Sequence, residues 1–243
     1  MRSKLPLPLN FFECPPLAPV EIDRLKLQAH THAVHVLQRS LMQEDNTTKW
    51  SLLSKQGAFT IHKGIDTNAQ SHQLRRVYVA KTEVAASHLD EAIDLFRDDT
   101  SSQAQDFARR FNHDVLDQAT LYTLLAPSTM FPHDKVTVTW HAEKSPWKTI
   151  MANRDACSLD GRFDFELNNK RVWVRASKTV NLRCCPDMRP ALGLVRMKHL
   201  SASYVLMDAN DRPGYISVAY VVQCDFGGRV SDWTLDQIMK RKC

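Results

Sequence analysis

Only seven glycines are spread over 243 residues. The chain carries no dinucleotide glycine fingerprint, no P-loop and no G-x-S-x-G elbow, so the commonest nucleotide-dependent and hydrolase mechanisms are not indicated. No uninterrupted apolar run is long enough to cross a bilayer. None of the six cysteines (Cys14, Cys157, Cys184, Cys185, Cys224 and Cys243) forms a CxxC pair, which argues against a structural zinc site. The amino terminus, MRSKLPLPLNFFECPPL, imitates a signal peptide only faintly, because Pro6 and Pro8 break its short apolar part and Glu13 follows. It is expected to be a mature extended arm over residues 1–18. Without a secretory signal, the thiols are expected to be reduced and the protein cytoplasmic.

What is present fits one folded unit. Hydrophobic residues make up 43% and charged residues 24%, the balance of a globular protein with a sizeable core. Eleven prolines and few glycines exclude a low-complexity chain. The net charge of +5 is a mild bias toward anionic partners. Its basic residues come as scattered pairs, Arg75–Arg76 and Arg109–Arg110, and as the tail Lys240–Lys242. With no helix-turn-helix, zinc-finger or RNA-recognition signature, nucleic-acid binding is not expected.

Periodicity gives an element order. Pro19 stands where a first helical turn opens, with Glu21 and Asp23 at its positive end. Ile22, Leu25, Ala29, Ala33 and Val36 then share one helical face. His30, His32 and His35 point in too many directions to form a metal cluster. TKWSLLS, FTIHKGI and RRVYVAKTEV are strand-like and separated by turn signals. SHLDEAIDLFR predicts a short helix opened by a Ser87/Asp90 capping box, and SSQAQDFARRF a second. Six further strands follow: ATLYTLLA, KVTVTWHAE, DACSLDGRFDFEL, KRVWVRASKTV, SASYVLMDA and GYISVAYVVQCDF. Gly161, Asn168–Asn169 and Pro213–Gly214 read as turns. Residues 181–195 form a long connection, and SDWTLDQIMKRKC closes the chain as a helix begun by Ser231. Sequential strands with short turns imply antiparallel pairing. The expected class is α+β: a curved antiparallel sheet of about nine strands wrapped around a long C-terminal helix, with an N-terminal helix and two short ones.

In KRVWVRASKTV, Val172, Val174 and Ala176 alternate with Trp173, Arg175 and Ser177. The valine face reads as core. The second face has two readings. Trp173 and Arg175 lie outside, with the arginine stem along the indole, or Arg175 points inward as a polar handle and requires Asp155, Glu166 or a ligand anion beside it.

This order of elements resembles the START domain, the helix-grip fold that holds single lipid molecules. NRDACSLDG (153–161) is similar to that family's Arg-Asp strand opening, with Ala156 where an aromatic is common. RPGYISVAYVVQCDFGGRVSDWTLDQIMKRK (212–242) resembles its last strand, Asp-x-x-Gly turn and terminal helix. There Asp225 and Gly228 match, while Gly227 and Ser231 replace the usual lysine and proline. VAKTEVAASHLDEAIDLFRDDT (79–100) is similar to the third strand and its following helix. The likeness covers about 19–242, and the CCPDM stretch resembles a subgroup often found before a FYVE-type zinc finger, whose paired cysteines are absent here.

The resemblance implies an internal cavity, closed by the C-terminal helix, for a lipid or other hydrophobic small molecule. Val138 and Trp140 are then wall or core. Arg154 and Asp155 are a structural ion pair or a tunnel element. Arg175, Tyr204 and Tyr220 are candidate polar contacts, and Trp233 and Met239 candidate lid residues. The expected function is non-enzymatic binding, extending to transfer or sensing, without cofactor or metal. A monomer is expected, with transient contact to anionic membranes through Lys240–Lys242. Two other readings stay open. Phe163, Phe165, Trp140 and Trp173 fill the interior of an interaction scaffold, or an interior titratable group makes a small-molecule enzyme. His113–Asp114 is a weak candidate for the latter, since adjacent side chains diverge.

Overall fold

The computed structural model describes residues 4–8, 10–43, 47–68, 75–100, 103, 106–107, 110–111, 113–145, 152–209, 212–225 and 231–242. Helix α1 (Pro19–Ser40) opens with proline in its first turn and a Glu21–Arg24 ion pair. It is followed by strands β1 (Thr48–Gln56), β2 (Phe59–Asp66) and β3 (Arg76–Ala85), then by the short helix α2 (Leu89–Asp94). Strands β4 (Val115–Leu125), β5 (Lys135–Glu143), β6 (Arg154–Leu167) and β7 (Lys170–Thr179) come next. A one-turn helix α3 (Arg189–Leu192) and the two-residue strand β8 (Val195–Arg196) break the 181–195 connection. Strands β9 (His199–Asp208) and β10 (Tyr215–Asp225) and helix α4 (Asp232–Lys242) complete the chain.

The strands form one ten-stranded sheet in the order β1-β2-β3-β10-β9-β7-β6-β5-β4, antiparallel except where β8 runs parallel to β6. β1 and β4 are its two edges, so the sheet is open. Of the second predicted short helix, the five described residues between 103 and 111 are all helical. The predicted Asp-x-x-Gly turn extends beyond Asp225 outside the described residues. Among the described residues no helix is long and apolar enough to cross a membrane.

The sheet buries both faces. On one side α1 lays Leu25, Ala29, Ala33 and Val36 against Val136, Val138, Val172, Val174 and Ala176. Each leucine or valine among them contributes about 1.5–3 kcal/mol when fully buried, and each alanine methyl about 0.8 kcal/mol. Gly161, expected to mark a turn, lies within β6. A Cβ there would stand 3.0 Å from the Ala29 Cβ and 2.8 Å from the Phe163 ring, so glycine admits α1 to the strand. The real β6–β7 turn is Asn168–Asn169, both with positive φ, the pair a two-residue hairpin of this twist demands. The α2 cap also shifts by one residue. His88 is the N-cap, and the Glu91 carboxylate rather than Asp90 accepts the Ser87 N–H at 2.8 Å.

The arm packs on the α1 side. Leu5, Leu7, Phe11 and Phe12 join the core's margin, the Leu7 N–H donates to Asp117 Oδ2 at 2.6 Å, and the Tyr122 hydroxyl donates to the Pro15 carbonyl at 2.7 Å. The opposite, concave side is covered in two parts. Helix α2 with Phe96 and Phe107 packs on Trp173, Leu206 and Ile216. Helix α4 packs Leu235, Ile238 and Met239 on Tyr78, Val222 and Cys224. At 11 residues against 22 for α1, α4 covers only part of that face, centred on β3 and β10 with Leu53 of β1 and Leu200 of β9 at its margin. The gap between the two covers is the cavity.

Candidate functional site

Strand β5 shows how the cavity acquires its chemistry. Its apolar residues, Val136, Val138, Trp140 and Ala142, lie in the core under α1. The alternate residues, Lys135, Thr137, Thr139, His141 and Glu143, therefore face the concave side, where they line an inner compartment of about 290 Å³. Asp160 from β6 and Arg175 and Ser177 from β7 continue this polar wall. An outer compartment of about 490 Å³ is lined by Phe59, Ala80, Val84, Leu95, Phe111 and Val218, with Arg110, His113 and Arg241 also on its wall. The two compartments share Val115, Glu143, Tyr204 and Tyr220.

A ladder of rings runs along this junction. Phe111 stacks on Phe96 at 4.7 Å, Phe96 meets Tyr204 at 4.8 Å, and Tyr204 meets its cross-strand partner Tyr220 at 4.8 Å. Such contacts hold aromatic surface in a fixed plane. A planar or chain-like apolar group can lie against it.

The inner end is closed by an ion network. Asp98, just beyond α2, takes Arg175 at 2.7 Å, Arg162 at 2.8 Å and Lys135 at 3.0 Å. Asp99 also takes Arg162 and Lys135, at 2.8 and 3.1 Å. Asp160 holds the Arg175 Nε at 3.2 Å, the Phe96 carbonyl accepts from its Nη1 at 3.0 Å, and the guanidinium lies 4.3 Å from the Phe107 ring centroid. Burial works against the Asp98 charge, but Arg175, Arg162 and Lys135 overcome it and hold the carboxyl well below the usual range. Burial likewise opposes the Arg175 charge, and Asp160 and Asp98 reverse that, raising its pKa. Arg97 joins at the rim, holding Asp99 at 2.9 Å and Asp94 at 3.3 Å, so four cations face four carboxylates, which makes burial of so many charges tolerable.

The sequence-predicted residues divide between the two faces. Arg175 points inward, and its partners are Asp160 and Asp98, not Asp155 or Glu166. Tyr204 and Tyr220 also face the cavity. Arg154 is buried, pairs across the sheet with Glu143 and donates to the Ala152 carbonyl at 3.1 Å. Asp155 is turned to the other side, where it accepts from Trp140 Nε1 at 2.9 Å and pairs with Arg196 at 2.7 Å. Adjacent strand residues face opposite ways, so Arg154 and Asp155 do not pair. Val138 belongs to the α1-side core and not to the cavity wall. Trp140 borders the inner compartment, but its ring packs 5.2 Å from Phe12. Met239 is sealed between α4 and the sheet, and Trp233 is 70% exposed.

The proposed fillers also separate. Phe163, Phe165 and Trp140 pack on the α1 side, leaving only Trp173 in the concave interior, against Phe96 at 6.1 Å. His141 Nε2 stands 3.4 Å from Glu143 Oε1 inside the cavity. Among the described residues no three His, Cys, Asp or Glu side chains converge to hold a metal.

Sequence reading missed Asp98, Lys135, Thr137 and Asp160. The available signal was the five polar residues alternating through KVTVTWHAE, a pattern shared with any strand that has one face in water.

No family model matches the chain, and no curated protein matches it in sequence. Solved structures do. Human StAR-related lipid transfer protein 5 is 13% identical, with a TM-score of 0.60 over 89% of this chain and 91% of that one. Human STARD10 is 13% identical, with a TM-score of 0.56 over 94% and 76%. The STAR-related lipid transfer protein of Xanthomonas axonopodis is 17% identical, with a TM-score of 0.52 over 79% and 91%. At such identities the likeness speaks for architecture: this chain has the helix-grip fold of the STAR-related lipid transfer domains.

Proposed function

We propose that the protein binds one lipid or other amphiphilic small molecule in the two-compartment cavity and carries it without chemical change. The observation that carries this reading is the polarity gradient. The inner compartment offers Thr137, Thr139, His141 and the Arg175–Asp160 pair to a head group, and the outer offers Phe111, Leu95 and Val218 to an apolar body. Pockets of roughly 300–1,000 Å³ that combine apolar walls with a few polar groups suit such ligands, and each methylene removed from water contributes about 0.8 kcal/mol.

Exchange proceeds by movement of α4 at a membrane, followed by reclosure. Three polar ties hold α4 down. Asp236 takes Lys63 and the Tyr78 hydroxyl, each at 2.8 Å, and Asp232 takes Arg76. Exposed Trp233, Lys240 and Arg241 supply an interfacial aromatic and two cations for transient contact with an anionic surface. The protein acts as a cytoplasmic monomer, without a cofactor. The likeness of the CCPDM connection to the subgroup that precedes FYVE-type fingers supports sensing through a partner as an extension of this reading.

The test is uptake of a fluorescent lipid from vesicles by the wild type and by Val218→Trp. The indole fills the outer compartment, so uptake falls at least about tenfold while the fold persists. Equal uptake by a folded Val218→Trp protein contradicts the site.

A further inference from the structure

The second feature of the molecule lies across the sheet from the cavity. Where α1 passes over the ends of β7, β9 and β10, a cleft of about 490 Å³ opens to solvent, lined by Arg24, His32, Lys178, Lys198 and His199 together with the polar side chains of Gln28, Asn181 and Ser201. A second depression of about 360 Å³ continues it along α1, sharing Arg24, Gln28, His32 and Lys178 and adding His35. Neither is lined by an acidic residue.

The charge balance here is the opposite of that in the cavity. Arg24 has Glu21 and Arg39 has Asp66, but Lys178 and Lys198 have no ion pair among the described residues. The cleft therefore carries an uncompensated positive potential in a concave site, where field lines concentrate. Two groups respond to that potential. Burial, Lys178, Arg39 and His35 keep the His32 imidazole neutral, its pKa down at about 4. Burial and Arg24 lower that of Lys178.

Hydrogen-bonding capacity is also unspent. Gln28 Oε1 is buried and accepts no hydrogen bond, and turning that amide over presents two N–H donors instead. The Ser201 hydroxyl stands 3.0 Å from His32 Nε2, within reach of the same space. Two lysines, an amide and a hydroxyl around one concavity suit a compact group with several acceptor oxygens and more than one negative charge.

We propose that this cleft binds a phosphomonoester, carried on a lipid headgroup or on the soluble counterpart of that headgroup. The site is separate from the cavity and stands whether or not the cavity holds a lipid. Occupation gives Lys178 and Lys198 their missing counter-charge and makes protonation of His32 favourable, so headgroup binding and His32 charge are linked.

The experiment follows the His32 imidazole resonances of the full chain by NMR. Inositol trisphosphate is one probe, and phosphatidylcholine vesicles with or without phosphatidylinositol bisphosphate are the other. Binding moves the His32 resonances and raises its pKa by about one unit or more. Lys178→Ala and Lys198→Glu each weaken binding about tenfold, the latter at an exposed position that leaves the fold intact. Tighter binding to the vesicles assigns the membrane lipid as ligand, and tighter binding to the free trisphosphate assigns the soluble form. Two results overturn the proposal. One is a His32 signal unmoved by millimolar trisphosphate and by the bisphosphate vesicles. The other is equal displacement by sulfate at the same concentration, which marks an adventitious ion only.

Discussion

Replacing Asp98 by asparagine removes one charge from the centre of the inner ion network while keeping the side chain's shape. In the wild type, Asp98 faces three cations, Arg175 at 2.7 Å, Arg162 at 2.8 Å and Lys135 at 3.0 Å. A unit-charge pair about 4 Å apart is worth about 4 kcal/mol at the effective dielectric of a partly buried site, so the gross attraction lost is large. Two things reduce it. Arg162 and Lys135 keep Asp99, and Arg175 keeps Asp160. The variant also no longer bears the cost of desolvating the Asp98 carboxylate. The network is left with one uncompensated buried positive charge, and breaking a buried pair in this way costs about 3–5 kcal/mol. Against a total stability of about 5–15 kcal/mol, thermal unfolding should move down by about 10 °C for a chain of this length.

Circular dichroism melts and urea titrations of the wild type, Asp98→Asn, Arg175→Met and the double variant measure this. The double variant restores the charge balance and should regain at least half of the loss. The network also predicts acid sensitivity. Because the folded-state pKa of Asp98 is lowered from 3.8, its contribution is present above that value and is lost as pH falls below it. A single Asp98→Asn variant within about 0.5 kcal/mol of the wild type, the scatter of neutral surface changes, would falsify the claim that this carboxylate holds the inner compartment together.

His32 supplies a second pH dependence in a different window. Its folded-state pKa is depressed from 6.5 to about 4, so the unfolded chain binds the proton first and stability is lost as pH falls through 6.5 toward 4. The full effect is up to about 3 kcal/mol, and urea midpoints of His32→Gln should lack that slope. Asp236→Asn weakens the ties from α4 to Lys63 and Tyr78. Amide exchange in α4 should speed up about tenfold or more, with lipid exchange rising in parallel, whereas unchanged α4 protection would remove this helix as the gate.

The fold was largely readable because its signals are local. The 3.6-residue spacing of Leu25, Ala29, Ala33 and Val36, the alternation of β7 and the paired Asn168–Asn169 each state their own geometry. The cavity lining was less readable because alternation says that two faces differ without saying which one meets an interior. Val138 and Trp140 are the greasy half of β5, and that half packs under α1. The polar half, which resembles a wet surface, lines the cavity. Asp98 was beyond reach for another reason. Its partners Lys135, Arg162 and Arg175 lie 37 to 77 residues away, and only the assembled β5–β6–β7 face of the sheet brings them together. Gly161 misled in a similar way, since a glycine that admits a helix and a glycine that makes a turn are the same letter.

The central claim is that the space between α2 and α4 is vacated for a guest molecule. Native mass spectrometry of protein purified without detergent, followed by organic extraction and a vesicle-uptake assay, tests this most directly. The account predicts one amphiphile per chain, either co-purified or taken up to that stoichiometry, and its loss in Val218→Trp. A protein that stays ligand-free through purification and takes up no lipid from vesicles would contradict it.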